Sequence, residues 1–247
     1  CKGFDAKKAL EVTQDFFNGK VGLDAGCGFG RHIYNAALFG ANMVGVDISK
    51  AIYSAKKNTQ NFKNVHLIQA DVFNLPFRDG IFDFAYSIGV LHHLPDPEMG
   101  FQSLLRLIKS RGSIFIWVYS DSRKSVIRVL ELARTVTTRM PLPLLKIISF
   151  LFAAVDYLII ISFKLFNRMD FLNINKFFKK ITLDRIKVYM RYPFQVIYAD
   201  WFDRFSAPVR FYYNEKDLEG WARRAGLNKV IISATGNYGW RLYGNKP

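Results

Sequence analysis

The sequence predicts an α/β protein, a doubly wound and mostly parallel seven-stranded sheet with a helical insertion after strand five. Three observations predict it. Short apolar runs alternate with helix-period segments from Val21 to Tyr119, the order that threads parallel strands through helical crossovers. The first run breaks off in a glycine-rich turn, "VGLDAGCGFGRHI". The alternation then stops for many residues and resumes at "NEKDLEGWARRAG", so an insertion separates strand five from its following helix.

Each element has its own signal. "FDAKKALEVTQDFF" spaces its apolar residues at helical intervals. "VGLDA" is a strand entering the loop, and "RHIYNAALFG" is a helix closed by Gly40. "NMVGVDIS" is the second strand, followed by the helix "KAIYSAKKNTQNF". "VHLIQAD" and "FDFAYSIG" are the third and fourth strands. "PEMGFQSLLRLIK" is a helix, and "GSIFIWVY" is the fifth strand, apolar nearly throughout as in a sheet covered on both faces. Past the insertion, Asn214 as N-cap and Gly226 as C′ bracket a helix before the strand "KVIISAT" and a closing "YGWRLYG". No internal repeat or low-complexity tract interrupts the pattern.

Composition bounds the function classes. The 247 residues are 50% hydrophobic and 22% charged, which supports a packed core and excludes global disorder. The two cysteines, Cys1 and Cys27, offer no disulfide framework, which suits a reducing, cytoplasmic setting. The chain opens on Cys1 rather than Met, so its natural start is expected upstream or processed, and "CKGFDAKKALEVTQDFF" is too polar for a signal peptide. The formal charge of +15 admits nucleic acid, anionic lipid or an acidic substrate as partner, or simple solubility.

In an open α/β sheet the ligand lies outside the carboxyl ends of the strands, so the strand-end residues carry the reading. Gly26, Gly28 and Gly30 read G-x-G-x-G rather than the dinucleotide G-x-G-x-x-G, and Asp24 stands just ahead of them. Strand two ends in Asp47, where an acid can accept hydrogen bonds from both ribose hydroxyls. Strand three ends in Asp71, which has no task in NAD recognition but suits an adenine amino group. Each acid also has a plain structural reading: Asp24 or Asp47 as a helix cap, Asp71 as a turn residue.

These motifs resemble the class I S-adenosylmethionine-dependent methyltransferases, a Rossmann-like family. The resemblance rests on "LDAGCGFGRH", "VGVDIS", "QADVFNLPF", "FDFAYSIGVLHHLPDP" and "RLIKSRGSIFIWVY", five motifs in register. It covers Val21 to Tyr119 and resumes at Phe211. It implies a cofactor-binding set of Asp24, Ala25, Gly26, Cys27, Gly28, Gly30, Arg31, Asp47, Ile48, Asp71, Val72, Ser87 and Ile88. In that set the glycine loop passes beneath the methionine moiety and Asp24 helps to place its amino group. Asp47 implies ribose binding, Asp71 with Val72 adenine binding, and Ser87 with Ile88 the segment beside the methionine part. One departure is the "SRG" where the family has Pro-Gly-Gly before strand five. The resemblance implies S-adenosylmethionine as cofactor, S-adenosylhomocysteine as product, and no metal.

A sulfonium is already an activated methyl donor, so the protein mainly aligns the reactants, for which positioning supplies ~7–11 kcal/mol. A general base is needed only for a hydroxyl or acidic-carbon acceptor. His92, His93 and Tyr119 are the substrate-side catalytic candidates. The two histidines could take a proton from the acceptor, against a structural reading at a loop start. Tyr119 ends strand five facing the cleft, or else is a packed aromatic. His32 and His66 read as structural.

The acceptor is read from the insertion. The methyltransferase domain is expected over 1–120 and 207–247, with a mainly helical insertion over 121–206. That insertion carries 15 lysines and arginines against 7 acids and is rich in aromatics, as in "FFKK", "VYMRYPF" and "YADWFDRF". It resembles the lids that close over small acceptors in the family, which exclude water and supply substrate contacts. Within it, "IISFLFAAVDYLIIISF" is near the lower limit for a spanning helix, with Asp156 at its centre. Strands on both sides belong to one sheet, so a crossing would need a return, and "RMDFLNINKFFKKITLDRIKVYMRY" is too charged to supply one. The segment is therefore expected to be a buried lid helix, with an interfacial helix or lipid-substrate groove as the alternative. No transmembrane span is expected. Peripheral contact with an anionic membrane through 144–180 is, with Lys146, Lys164 and Arg168 bracketing the apolar run and Lys179 beyond it.

Together these features point to a cytoplasmic enzyme, with peripheral membrane contact expected, methylating a small, hydrophobic or lipid-linked acceptor. Nucleic-acid methylation is the alternative that the charge supports. Against it, "SIGVLHH" stands where amino-methyltransferases of nucleic acids carry a Pro-Pro-aromatic signature. A non-catalytic binding module would leave the three strand-end acids idle.

Overall fold

The structure is a computed structural model that describes residues 14–166, 186 and 189–247. Contacts divide the chain into two compact units. One runs to Arg123 and resumes at Val209, and the other runs from Lys124 to Pro208.

The first unit is the α/β sheet. Its elements are α1 (Gln14–Phe17), β1 (Val21–Ala25), α2 (Arg31–Leu38), β2 (Asn42–Asp47), α3 (Ala51–Asn58), β3 (Val65–Gln69), β4 (Phe82–Ile88), α4 (Pro97–Leu107), β5 (Ile108–Tyr119), α8 (Glu215–Arg224), β6 (Asn228–Thr235) and β7 (Gly239–Asn245). The strand order is β3-β2-β1-β4-β5-β7-β6. All neighbours are parallel except β7, which runs antiparallel to both β5 and β6. The order reverses between β1 and β4, and that switch point is where an open α/β sheet leaves a crevice.

Both faces of the sheet are covered. Leu23, Phe82, Phe101, Leu104, Ile114 and Ile116 are buried in the larger core, and Ile33, Met43, Phe84 and Tyr86 in a second. Each such side chain removed from water contributes roughly 1.5–3 kcal/mol, which is why the strands read as continuous apolar runs. Asn214 caps α8 with a reciprocal capping box to Asp217, and Gly226 follows it at φ +63°, as the sequence signals require.

Two boundaries differ from expectation. The helix before strand five stops at Leu107, and β5 already begins at Ile108 rather than near Gly112. Ile108 is fully buried and pairs with Phe82. Arg111, at φ +63°, then lets "KSRG" kink without leaving the strand. The helix expected from "FDAKKALEVTQDFF" is described only over Gln14–Phe17, the rest lying outside the described residues.

The second unit contains α5 (Lys124–Thr137), α6 (Leu142–Phe166) and α7 (Phe194–Ser206). Its first residue is Lys124 rather than the expected Asp121, because Asp121 N–H donates to the Tyr213 carbonyl and Ser122 is bonded to Ser120. Ala153 and Ile160 of α6 pack with Ile197 of α7. Asp156 accepts from the Trp201 indole N–H at 2.9 Å, so the one acid of α6 faces its neighbouring helix. Buried Arg134 of α5 donates to Glu131 and to the Ala207 carbonyl, and Thr137 donates to the Phe205 carbonyl.

The expectation of a buried helix over Ile147–Phe163 is corrected. Among the described residues only one face of α6 is covered, and Ile147, Leu151, Val155 and Leu158 are 56–64% exposed. Apolar composition says how much surface wants burial, not whether the chain provides a cover for it. Arg168 and Lys179 lie outside the described residues.

Candidate cofactor and active site

The carboxyl ends of β1, β2 and β4 bring the predicted residues together around one loop. Gly26, Gly28 and Gly30 all have positive φ, a conformation that glycine alone adopts without strain. A Cβ on Gly26 would lie 2.2 Å from Val90 Cγ2, so close packing demands glycine there. A Cβ on Gly28 would meet nothing within 4 Å. Space is therefore left open at the middle of the loop.

Asp47 ties this loop to the sheet. Its Oδ2 accepts the Gly28 N–H at 2.8 Å, and its Oδ1 accepts both the N–H (2.8 Å) and the hydroxyl (2.6 Å) of Ser49. A carboxylate has about four lone-pair sites, so about one stays open. The expectation that Asp47 receives both ribose hydroxyls is thereby narrowed: one can bond directly, and the second only by displacing Ser49. Ile48, next along, is 69% exposed beside this carboxylate.

Asp24 is different in kind. It is 2% exposed, and its Oδ2 has no hydrogen-bond partner. Burial pushes its carboxyl up to about 8, with the Asp47 charge adding to the rise, while Tyr86, the Ile33 backbone and Arg31 pull the other way. Tyr86 sits opposite Asp24 in the β1–β4 register, and its buried hydroxyl, which has no partner beyond that carboxyl, is pushed well up by burial and then by Asp24. Sequence reading missed Tyr86. The alternation of β4 hinted at it, but cross-strand register cannot be read from one strand.

The remaining predicted positions divide. Cys27 is a buried free thiol pushed up to about 12, chiefly by burial and then by Asp24 and Asp47, so it stays protonated and packs against Ile52 and Ala55. Ala25 is buried, and its carbonyl accepts from the fully buried Ser87 hydroxyl at 2.9 Å. The Ser87 side chain thus joins β1 to β4, and Ile88 follows at the strand end, half-buried. Arg31 opens α2, its guanidinium 3.0 Å from His32 Nε2. Asp71 Oδ1 caps the short turn after β3 by accepting the Phe73 N–H at 3.0 Å, its turn-residue role, and Val72 is buried in the core.

The substrate-side candidates cluster after β4. His92 and His93 end one turn at 91–93, and the Phe211 N–H donates to the His92 carbonyl. The His92 ring is fully buried, 3.9 Å from the Tyr119 centroid and 4.3 Å from His93. Both of its nitrogens lack a partner, and burial above all, then His93 and Arg210, holds it well below the usual histidine range. Burial thus favours the neutral ring. His93 Nδ1 lies 3.0 Å from the Val209 carbonyl; as that oxygen only accepts, Nδ1 carries the proton and Nε2 of a neutral ring is the basic atom. Arg210 lies over the Tyr119 ring at 4.8 Å, a neighbour the sequence reading did not single out. His32 is pushed down to about 4 by burial and Arg31. Among the described residues no group of acids, histidines and cysteines could hold a metal ion.

Residues 23–116 match the family model of a methyltransferase domain. Over those residues the chain carries a methyltransferase domain. This methyltransferase domain is 35% identical over 121 residues to a tRNA (carboxymethyluridine(34)-5-O)-methyltransferase of Arabidopsis thaliana, covering 47% of this chain and 28% of that protein. It is 33% identical over 113 residues to a sterol 24-C-methyltransferase of Schizosaccharomyces pombe, covering 42% and 30%. The chain thus spans under a third of the length of these relatives. A SAM-dependent methyltransferase from Aquifex aeolicus shares the fold at TM-score 0.53 and 14% identity, over 94% of this chain and 87% of that one. The cofactor's shape and charge fit the methyltransferase domain on two observations: the open space over Gly28, and the buried, unpartnered Asp24 oxygen suited to an ammonium.

Proposed function

We propose that this chain transfers a methyl group from S-adenosylmethionine to a small, hydrophobic or lipid-linked acceptor. The observation that carries the transfer is the convergence of Asp24, Asp47 and the open Gly28 at one switch point. When bound, the cofactor supplies a methyl already activated on a sulfonium. The chain's own residues bind and orient. The loop admits a ligand against its backbone, Asp47 accepts from a hydroxyl through its open lone pair, and Asp24 in its ionised form faces a cationic group. His93 is the substrate-side candidate to hold an acceptor proton where the acceptor needs deprotonation.

Two features support a hydrophobic acceptor. The insertion exposes a long apolar helix face, and a sterol methyltransferase is among the relatives. In this reading the insertion serves as the lid, and the protein is cytoplasmic and meets a membrane only peripherally. A second reading, RNA as acceptor, is favoured by the net charge of +15 and by the tRNA-modifying relative. Radiolabelled methyl transfer from S-adenosylmethionine into a lipid extract, with bulk tRNA as the parallel arm, separates them. Label in the lipid phase is expected; label confined to tRNA would overturn the hydrophobic acceptor, and label in neither would overturn the transferase itself.

A further inference from the structure

The outer face of α6 has a shape and a charge pattern that composition alone does not show. Leu144, Ile147, Leu151, Val155 and Leu158 recur at three- and four-residue steps, Leu165 follows two turns on, and all are exposed, so they form one stripe along the helix. No charge interrupts it. Asp156, the acid that argued against lipid contact, is turned inward to Trp201. Ser162, exposed among the apolar residues, donates its hydroxyl to the Leu158 carbonyl at 2.8 Å and needs no water. Lys146 and Lys164, both exposed, stand about five turns apart at one helical angle, about 100° round from Ile147 and Leu165. α5 repeats the pattern in short form: Val126, Val129, Leu132 and Val136 are exposed along one side, with Arg128 exposed on the same helix and Arg139 just past its end.

We propose that the uncovered face of α6 docks on an anionic lipid bilayer, its apolar stripe entering the headgroup–acyl boundary while Lys146 and Lys164 meet lipid phosphates. Long lysine stems suit this, since they follow the apolar surface and keep the ammonium in the polar layer. Two other occupants are disfavoured. A second copy would bring another insertion with eight excess positive charges against this one, whereas an anionic surface complements it. A crossing would need a return, because β1–β5 precede the insertion and β6 and β7 follow it in the same sheet. Among the described residues α6 is the one helix long and apolar enough to cross. The inference deepens the acceptor reading above and rests on it for the acceptor's class, since docking would bring the enzyme to a lipid-borne substrate.

The test is sedimentation of the full chain with phosphatidylcholine vesicles, with and without phosphatidylglycerol, and S-adenosylhomocysteine-induced stabilisation measured on the same samples. Binding is expected to the anionic vesicles at low salt, weakening as salt rises. Leu151→Asp with Leu158→Asp should weaken it roughly tenfold or more, and Lys146→Glu with Lys164→Glu several-fold, both pairs keeping the S-adenosylhomocysteine response. If the protein ignores anionic vesicles at low salt, or the aspartate pair binds like the parent, docking is wrong. Where S-adenosylhomocysteine still stabilises that protein, the methyltransferase reading stands without it. Self-association that the aspartate pair abolishes, with vesicles ignored, would likewise overturn docking and assign the face to a second copy.

Discussion

Asp24 and Tyr86 sit opposite each other across β1 and β4, both buried, and their side-chain oxygens have no hydrogen-bonding partner beyond the interaction they make with one another. Native interiors rarely leave such atoms orphaned, because an unpaired buried polar atom costs about 1–3 kcal/mol. A ligand's ammonium would pair with Asp24 only in its carboxylate form. With its carboxyl raised to about 8 by burial, Asp24 carries a proton in the free protein near neutrality and should release it on binding. S-adenosylhomocysteine affinity is therefore expected to rise with pH up to about 8, and Asp24→Asn to flatten that rise while weakening binding. Calorimetry in buffers of different ionisation enthalpy measures the released proton directly.

The same group shapes stability. Asp24 ionises near its usual 3.8 in the unfolded chain but near 8 in the fold, so the native state holds the extra proton between them. Stability from this residue falls as pH rises across that window. His92 acts oppositely: its folded value lies well below 6.5, so the unfolded chain takes the proton first and stability falls on acidification through 6.5. Thermal melts of the free protein should show Asp24→Asn reducing the alkaline loss and His92→Phe reducing the acid loss. Unaltered slopes in both variants would contradict the burial argument.

Two loop glycines should respond in different currencies. Gly26→Ala drives a Cβ to 2.2 Å from Val90 and should lower the melting temperature, with partial rescue by Val90→Ala. Gly28→Ala meets open space, so folding should lose only the roughly 1–2 kcal/mol of a left-handed residue. Its methyl group would occupy the room left for the ligand, and S-adenosylhomocysteine affinity should fall far more than stability does.

Asp47→Ala removes the acceptor for Gly28 N–H and for both Ser49 donors. Hydrogen bonds to a charged group contribute about 1.5–3 kcal/mol, so affinity should drop roughly 10- to 100-fold. Asp71→Ala loses a single turn cap and should cost less. Titrations that rank these two in the reverse order would move the principal polar contact to β3.

The sequence exposed much of this because strand ends and glycine spacing are local signals. Asp24, Asp47 and the loop were legible from chain order alone, as was the Asn214 cap. Tyr86 was not, since its partner is 62 positions away and only the β1–β4 register brings them together. The resemblance sets Ser87 beside the methionine part, and the bond of its hydroxyl to the Ala25 carbonyl is a cross-strand contact that one strand does not reveal. His92 looked basic by type, and burial removes that property. The apolar run of α6 misled for a related reason, because an exposed apolar helix and a buried one have the same composition.

Titration of the full chain with S-adenosylhomocysteine near neutral pH tests the account most directly. Saturable one-site binding is expected, accompanied by proton release that disappears in Asp24→Asn. No heat and no thermal stabilisation with either S-adenosylhomocysteine or S-adenosylmethionine would contradict the assignment of this loop to the cofactor.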